Sequence, residues 1–178
     1  MANFVFIATI LDGFIADKNV GIDWLHEIPN PTGSDYGYNA FIESIDALVM
    51  GRNTLELVLT LDCNWPYSKP VFVLSNTLNA VPKGYENKVS LVNGDLKKLT
   101  EELKGKGYAN LYIDGGVTIQ NFLKEDLIDE IIITIIPVLL GGGIPLFAQQ
   151  ENTLEFRCTD SEVFSNGISQ NRFKRLRS

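Results

Sequence analysis

Short runs of apolar, β-favouring residues recur along the chain and predict six buried strands. They cover residues 4–10, 47–50, 71–74, 89–92, 111–113 and 131–138. Several of these runs are apolar at consecutive positions, which is typical of strands covered on both faces in a parallel sheet. Segments with helical spacing lie between them, at 35–45, 53–60, 96–103 and 117–123. This alternation predicts an α/β fold with a mostly parallel sheet.

Two further extended segments, 153–164 and 168–176, follow towards the C-terminus and are separated by Ser165-Asn166-Gly167. An Asn-Gly pair between β-rich segments is a strong hairpin signal, because both turn residues adopt positive φ. We therefore expect an antiparallel hairpin at the end of the sheet. No linker or repeat interrupts the sequence, so residues 1–178 are predicted to form one domain.

Charge and composition narrow the classes of function. The 22 acidic and 15 basic residues give a formal net charge of −7, which disfavours a nucleic-acid partner. Cys63 and Cys158 form no zinc-binding or disulfide pattern, and with His26 as the single histidine a multi-histidine metal site is excluded. The first apolar run is too short to span a membrane and lacks the charged segment of an export signal. We expect a cytoplasmic protein without a metal or a membrane partner.

Two places in the sequence pass from a buried strand through glycine into a helix. The first is Gly51-Arg52-Asn53-Thr54, and the second is Gly115-Gly116-Val117-Thr118. A helix that begins this way directs backbone N–H groups towards an anion, and glycine lets the backbone approach it closely. Two such junctions in one sheet predict a dinucleotide, although each could also be a simple turn, and a G-x-G-x-x-G motif is absent.

A carboxylate follows the first predicted strand, at Asp12-Gly13. Ligands of open α/β sheets bind beyond the carboxyl ends of the strands, so Asp12 is a candidate ligand contact. The alternative is an ordinary Asp-Gly turn. The glycines at 141–143 precede Pro145 rather than a helix, and we interpret them as a turn that ends a strand.

Five segments, in chain order, resemble the dihydrofolate reductase-like superfamily. They are LDGFIA at 11–16, DALVMGRNT at 46–54, VLS at 73–75, YIDGG at 112–116 and PVLLGGGIPLF at 137–147. Within that superfamily, they are most similar to the C-terminal reductase domain of the bifunctional riboflavin-biosynthesis deaminase/reductase. The resemblance implies a three-layer fold with a mostly parallel central sheet of about eight strands and a C-terminal antiparallel hairpin.

The resemblance also implies NADPH as the cofactor. Gly51, Arg52 and Thr54, with Asn53 in the same junction, would bind the 2′-phosphate and diphosphate, and Ser75 and Asn76 would lie beside the adenine ribose. Gly115, Gly116, Val117 and Thr118 would hold the diphosphate from the other helix, while Ala8 and Ile15 would flank the nicotinamide. An alternative for Arg52 is an ion pair with Glu56, four residues along the same helix.

Two carboxylates are candidates for the catalytic acid. Dihydrofolate reductases carry a substrate-binding carboxylate at the start of the first helix, which corresponds to Asp35 or its neighbour, whereas the riboflavin branch is most similar around Asp12. Reduction of a C=N or C=O bond needs a proton at the heteroatom, so a carboxyl group is chemically suited to the role. The alternative for Asp35 is an N-cap, because Ser34-Asp35 precedes a predicted helix.

The sequence also departs from both relatives. No deaminase domain precedes this region, and we do not find the tryptophan-containing substrate loop expected after the first strand of a dihydrofolate reductase. We therefore expect a stand-alone NADPH-dependent reductase of a pterin- or pyrimidine-type heterocycle, or alternatively a dinucleotide-binding module without turnover. The long apolar run at 131–140 and the apolar loop at 144–147 predict a homodimer, because one sheet position rarely buries so long a strand.

Overall fold

A central β-sheet with helices on both faces organises the protein in our computed structural model, which describes residues 2–61 and 64–177. The strands are β1 (Ala2–Ile10), β2 (Phe14–Ala16), β3 (Ala47–Gly51), β4 (Val71–Leu74), β5 (Val89–Val92), β6 (Asn110–Asp114), β7 (Glu130–Ile136), β8 (Ile144–Pro145), β9 (Phe156–Val163) and β10 (Ser169–Arg175). The helices are α1 (Trp24–Glu27), α2 (Tyr38–Glu43), α3 (Arg52–Thr60), α4 (Leu96–Gly105) and α5 (Gly116–Lys124).

Eight strands form the main sheet in the order β5-β4-β3-β6-β1-β7-β10-β9. The pairs from β5 to β7 are parallel, and β10 pairs antiparallel with both β7 and β9. The predicted mostly parallel sheet with an antiparallel C-terminal hairpin is confirmed. Because the parallel strands all end at one edge, the loops that follow them are gathered there.

The middle strands are apolar at consecutive positions because a helical layer covers each face. Val49 and Ile113 pack on the side that also holds apolar residues of α4 and α5, such as Leu103 and Phe122. Their neighbours in sequence, such as Leu48, Met50 and Tyr112, face the opposite side and pack with Phe41 of α2 and Leu55 of α3. Alternate side chains therefore enter two separate cores, which gives three layers.

A small second sheet was not predicted from the sequence. Strands β2 and β8 pair antiparallel, with Phe14 opposite Pro145 and Ala16 opposite Ile144. A side chain at Gly143 would overlap the carbonyl oxygen of Ala16, so glycine is needed for this close approach. The turn predicted at 141–143 is therefore followed directly by the short strand β8, which pairs with β2.

The argument from strand length for a homodimer is wrong. Strand β7 ends at Ile136, because Pro137 has no N–H group to continue the ladder. Within β7, Ile131, Ile132 and Ile136 are buried by the chain's own layers, and so is Leu146. The sheet therefore leaves no long surplus strand to cover, but Leu139 and Phe147, in the apolar runs that predicted the homodimer, are exposed, and the homodimer stays a prediction.

The sequence analysis also made expectations about membrane spans, metal sites and cysteines. Among the described residues, no helix is long and apolar enough to cross a membrane. The same part of the chain holds no cluster of three or more potential metal ligands. Cys158 is exposed and free, whereas Cys63 lies outside the described residues.

Candidate functional site

A cavity of about 740 Å³ opens at the carboxyl edge of the parallel strands. Residues that end or follow β1, β3, β4 and β6 line it, together with parts of β2 and α1. Every residue predicted to hold the cofactor lies in its wall, namely Ala8, Ile15, Gly51, Arg52, Asn53, Thr54, Ser75, Asn76, Gly115, Gly116, Val117 and Thr118. The fold thus brings together residues that are more than one hundred positions apart in sequence.

The two strand-glycine-helix junctions lie against each other at the centre of this wall. A side chain at Gly115 would overlap the Thr54 hydroxyl, and a Cβ at Gly51 would lie 2.9 Å from Thr118 Oγ1. Gly115 also adopts φ +88°, which side chains rarely tolerate. Glycine at both positions therefore allows the N-terminus of α3 to lie beside the N-terminus of α5.

Both of these helix N-termini have free first-turn donors. Helices α3 and α5 are nine residues long, their N-caps are Gly51 and Gly115, and within the described residues neither has a side-chain cap. The first N–H groups of a helix have no partner inside the helix and carry the positive end of its dipole. Two adjacent uncapped N-termini can therefore bind an extended anion such as a diphosphate.

Arg52 stands at the rim of the cavity and makes the ion pair considered in the sequence analysis. Its Nε donates to Glu56 Oε1 at 2.6 Å, and its Nη1 donates to Thr77 Oγ1 at 3.1 Å. The Arg52 and Glu56 side chains are 45% and 50% exposed, so the pair contributes only about 0.3–0.5 kcal/mol. Such a weak pair leaves the guanidinium available to a stronger anion.

Asp114 is a cavity residue that sequence reasoning did not select. It ends β6 opposite Met50 of β3, and its Oδ1 accepts the Gly115 N–H at 2.8 Å. Burial raises the pKa of Asp114 to about 6, against the lowering effect of the Gly115 N–H and the Tyr112 hydroxyl. Burial, and then the charge of Asp114, raise the pKa of nearby Tyr38 to about 12. The signal available in sequence was an acid at the end of a buried strand, directly before Gly-Gly.

A smaller cavity of about 350 Å³ adjoins the larger one, because Ala8 and Leu25 line both. Its remaining wall comes from β1, from the segment between α1 and α2, from β7 and from the C-terminal hairpin. The residues are Phe6, Ile28, Pro29, Asn30, Asp35, Tyr36, Thr134, Ile136 and Ile168. The two cavities therefore meet at Ala8. Ligands bound in the two cavities would therefore both lie beside Ala8.

Asp35 lies in the wall of this smaller cavity and also accepts backbone N–H groups at the start of α2. Its carboxylate accepts the Asn39 N–H at 2.9 Å and the Gly37 N–H at 3.0 Å, and these bonds lower its pKa. The N-cap of α2 is Gly37, so the N-cap interpretation of Asp35 is wrong, although its carboxylate does accept the N–H of Asn39 in the first turn of the helix. These bonds do not remove the carboxylate from the cavity.

The sequence analysis did not find a tryptophan-containing substrate loop after the first strand, but Trp24 does line the larger cavity. It lies in α1 and packs with Ile136 and Ile168 of the smaller one. The side chain is only 5% exposed, and its indole Nε1 is buried without a hydrogen-bond partner. A buried donor without a partner is costly to the fold.

Asp12 lies elsewhere and lines neither cavity. Its Oδ2 accepts the Gly141 N–H at 2.8 Å, and its Oδ1 accepts the Leu140 N–H at 3.4 Å. These contacts hold the loop between β7 and β8 against the end of β1. The geometry gives Asp12 a structural position and offers no support for the catalytic role predicted for it.

The sheet order and the cavity across its strand ends define a dihydrofolate reductase-like fold. The structure is similar to dihydrofolate reductase from Enterococcus faecalis in complex with NADP(H), with a TM-score of 0.66 over 99% of this chain and 97% of that chain. At 15% identity, this similarity shows the fold alone.

The chain belongs to the RibD C-terminal domain family, whose model matches residues 4–169. A crystal structure of a putative riboflavin biosynthesis protein from Shewanella sp. PV-4 is 60% identical, with a TM-score of 0.97 over 99% of this chain and 100% of that chain. The uncharacterized protein YwjB of Bacillus subtilis strain 168 is 37% identical over 167 residues, 92% of each chain. The resemblance found in the sequence is confirmed.

The contact between the junctions predicts a coupled effect of Gly115 and Thr54 on stability. Gly115→Ala should lower the free energy of unfolding by about 2–4 kcal/mol, because it adds an overlap with Thr54 to the strain of a positive φ. Gly107→Ala is the matched control, since Gly107 has φ +95° with open space around it, and should cost about 1–2 kcal/mol. Urea unfolding measures both. Adding Thr54→Ala to the Gly115→Ala protein should recover about 1 kcal/mol of the free energy of unfolding. If the costs of the two substitutions simply added, the contact between these residues would be contradicted.

Burial of Asp114 predicts a pH-dependent stability difference. Its raised pKa means that ionisation opposes folding, so wild-type stability from this group is present below about pH 4 and is lost as the pH rises through about 6. Asp114→Asn keeps an acceptor for the Gly115 N–H without the charge. It should be more stable than wild type by on the order of 1–3 kcal/mol at pH 8 and equal to it near pH 4. A constant difference across that range would show that folding does not raise the pKa of Asp114.

Proposed function

We propose that this protein is an NADPH-dependent reductase that transfers hydride to a pterin- or pyrimidine-type heterocycle. The observation that carries the proposal is the pair of uncapped helix N-termini that meet in one cavity, which in turn adjoins a second cavity at Ala8. Membership of the RibD C-terminal domain family and the fold shared with an NADP(H)-bound reductase support it.

The residues present fit a dinucleotide phosphate. The close approach at Gly115 and Gly51 leaves room for backbone N–H groups but not for side chains, so the diphosphate would lie between α3 and α5. Arg52 would contact the 2′-phosphate, while Ser75 and Asn76 would lie beside the adenine ribose. When bound, NADPH would supply the hydride from its nicotinamide, which Ala8 and Ile15 would flank.

Asp114 and Asp35 would have different roles in the reaction because their surroundings differ. Reduction of a C=N or C=O bond adds hydride to carbon and needs a proton at the heteroatom. Asp114, with a pKa of about 6, keeps a protonated fraction near neutral pH and is the suited donor through a water, since it lines the larger cavity and not the smaller one. Asp35, whose pKa is lowered, stays ionised and would instead accept hydrogen bonds from the substrate.

Catalysis through Asp114 predicts a pH-rate profile. With NADPH and a reducible heterocycle, such as dihydrofolate or 5-amino-6-ribosylaminouracil, kcat should fall as the pH rises above about 6. Asp114→Asn should lower kcat at saturating NADPH by about 10²–10⁴-fold and remove that dependence. Loss of the NADPH absorbance band measures the rate, and calorimetry measures the affinity.

Three outcomes of these measurements would change the proposed function or the proposed role of Asp114. Saturable NADPH binding with no turnover of any heterocycle would favour a dinucleotide-binding module. Absence of NADPH binding would overturn the proposal altogether. An unchanged pH profile in Asp114→Asn would assign the proton to another group.

The position of Arg52 predicts that the protein binds NADPH more tightly than NADH. Arg52→Gln should weaken NADPH binding by about 10–150-fold, the worth of one charge-assisted hydrogen bond, and leave NADH affinity almost unchanged. Glu56→Gln is the matched control, because it releases Arg52 from its ion pair and should leave NADPH affinity equal or slightly higher. Calorimetric titration with both nucleotides measures the effect. Equal losses for NADPH and NADH would show that Arg52 positions the helix rather than the 2′-phosphate.

A further inference from the structure

We infer that Tyr112 is a positioning residue that holds the proposed proton donor, Asp114, against strand β1. The inference rests on the proposed function and deepens it, since that function makes Asp114 the acid. It gives a role in the reaction to a core side chain that lines neither the larger nor the smaller cavity.

Tyr112 and Asp114 lie on the same face of the sheet. They are two residues apart on β6, and alternate residues of a strand share a face. On the neighbouring strand β3, Leu48 lies opposite Tyr112 and Met50 lies opposite Asp114, and both apolar residues belong to the same core as Tyr112. The Tyr112 hydroxyl makes a hydrogen bond with the Asp114 carboxylate. The strand register therefore places a phenol beside the acid of the larger cavity.

The same hydroxyl links β6 to β1 where the two strands separate. Their pairing ends at Phe4 and Tyr112, whereas β1 stays paired with β7 as far as Ile10. Beyond this end, the Tyr112 hydroxyl donates to the Phe6 carbonyl oxygen at 2.9 Å. Ala8, where the two cavities meet, lies two residues further along β1. Tyr112 therefore connects the acid to the strand that borders both cavities.

Packing fixes the ring of Tyr112 in this position. The side chain is 6% exposed, and the Phe41 ring meets it edge-on, with the ring centroids 5.1 Å apart. Besides Asp114, the titratable groups that face its hydroxyl are Tyr38 of α2 and Tyr67 of the segment between α3 and β4. Burial, and then the charge of Asp114, raise the pKa of Tyr112 well above its usual range. The hydroxyl therefore keeps its proton at neutral pH and acts as a donor.

One hydroxyl proton serves two acceptors in turn. While Asp114 is protonated, the Tyr112 O–H can stay on the Phe6 carbonyl, and its oxygen can accept the carboxyl O–H. Once Asp114 has given its proton away, the Tyr112 O–H turns to the carboxylate, because a hydrogen bond to a charged acceptor is stronger. No proton leaves Tyr112 in this exchange. The hydroxyl thus stabilises the ionised form of Asp114 and makes it a better proton donor than burial alone would allow.

Removal of the hydroxyl should make Asp114 a weaker acid. In Tyr112→Phe, the ring stays and the hydrogen bond to the carboxylate is lost, so the midpoint of the Asp114 titration should rise from about 6 by about one pH unit. Carboxyl ¹³C NMR of the full-length protein, labelled at aspartate, measures this midpoint without cofactor or substrate. The signal that disappears in Asp114→Asn identifies the residue.

Tyr38→Phe is the matched control for the loss of a phenol. Tyr38 packs against the same core and feels the charge of Asp114, whereas the hydrogen bond to that carboxyl group comes from Tyr112. This variant should leave the midpoint unchanged. Equal shifts in both variants would show that any lost phenol acts on Asp114, and the inference would be overturned. An unchanged or lowered midpoint in Tyr112→Phe would overturn it as well.

A second variant keeps the hydroxyl, and it tests the contact even if Tyr112→Phe does not fold. Replacement of Tyr112 by 3-fluorotyrosine makes the phenol a stronger hydrogen-bond donor. The midpoint of Asp114 should then move downwards, opposite to its movement in Tyr112→Phe. A midpoint that stays in place or rises would contradict the inference.

Turnover separates this inference from the proposed function. The pH at which kcat has fallen by half should follow the NMR midpoint, both in the wild type and in Tyr112→Phe. A shifted midpoint without NADPH oxidation by any heterocycle would support the control of Asp114 by Tyr112 and count against the reductase activity. Turnover with an Asp114 midpoint that Tyr112→Phe does not move would support the reductase and overturn the inference.

Discussion

The close contact between the N-termini of α3 and α5 is the constraint on which the rest of the site depends. Strands β3 and β6 are neighbours in the sheet, so the helices that follow them begin side by side. They can touch only because Gly51 faces Thr118 and Gly115 faces Thr54. This packing leaves two sets of first-turn N–H groups directed at one place, and the larger cavity is the space in front of them.

Three aspartates near the strand ends have different roles because their surroundings differ. Asp12 accepts the backbone N–H groups of a loop and fixes that loop in place. Asp35 accepts the N–H groups of α2 and stays ionised at the mouth of the smaller cavity. Burial raises the pKa of Asp114, which favours its protonated form. The same side chain therefore serves as an anchor, a proposed binding charge and a proposed proton donor.

Much of the fold was predictable from sequence because its signals are local. Continuous apolar runs predicted the buried strands, and Ser165-Asn166-Gly167 predicted the hairpin turn. The glycine junctions were also visible, since strand, glycine and helix follow one another directly. Their mutual contact was not visible, because it depends on which strands are neighbours in the sheet.

The features that sequence reasoning missed depend on contacts across the fold. Asp114 has a raised pKa because tertiary packing buries it, and its charge in turn helps to raise the pKa of Tyr38, which comes from a distant helix. Trp24 lies in a four-residue helix that is too short to give a helical pattern. Strand β8 has two residues and forms only against β2. The end of β7 at Ile136 was missed because the apolar run continues past Pro137.

Backbone amide NMR on the 19.8 kDa chain tests the central claim most directly. In a titration of ¹⁵N-labelled protein with NADPH, the amide signals of residues 52–54 and 116–118 should shift together and saturate at one equivalent. Signals at the far end of the sheet, around Glu130 and Arg172, should stay in place. Shifts at one junction without the other, or at neither, would contradict the account in which the two helix N-termini form a single dinucleotide site.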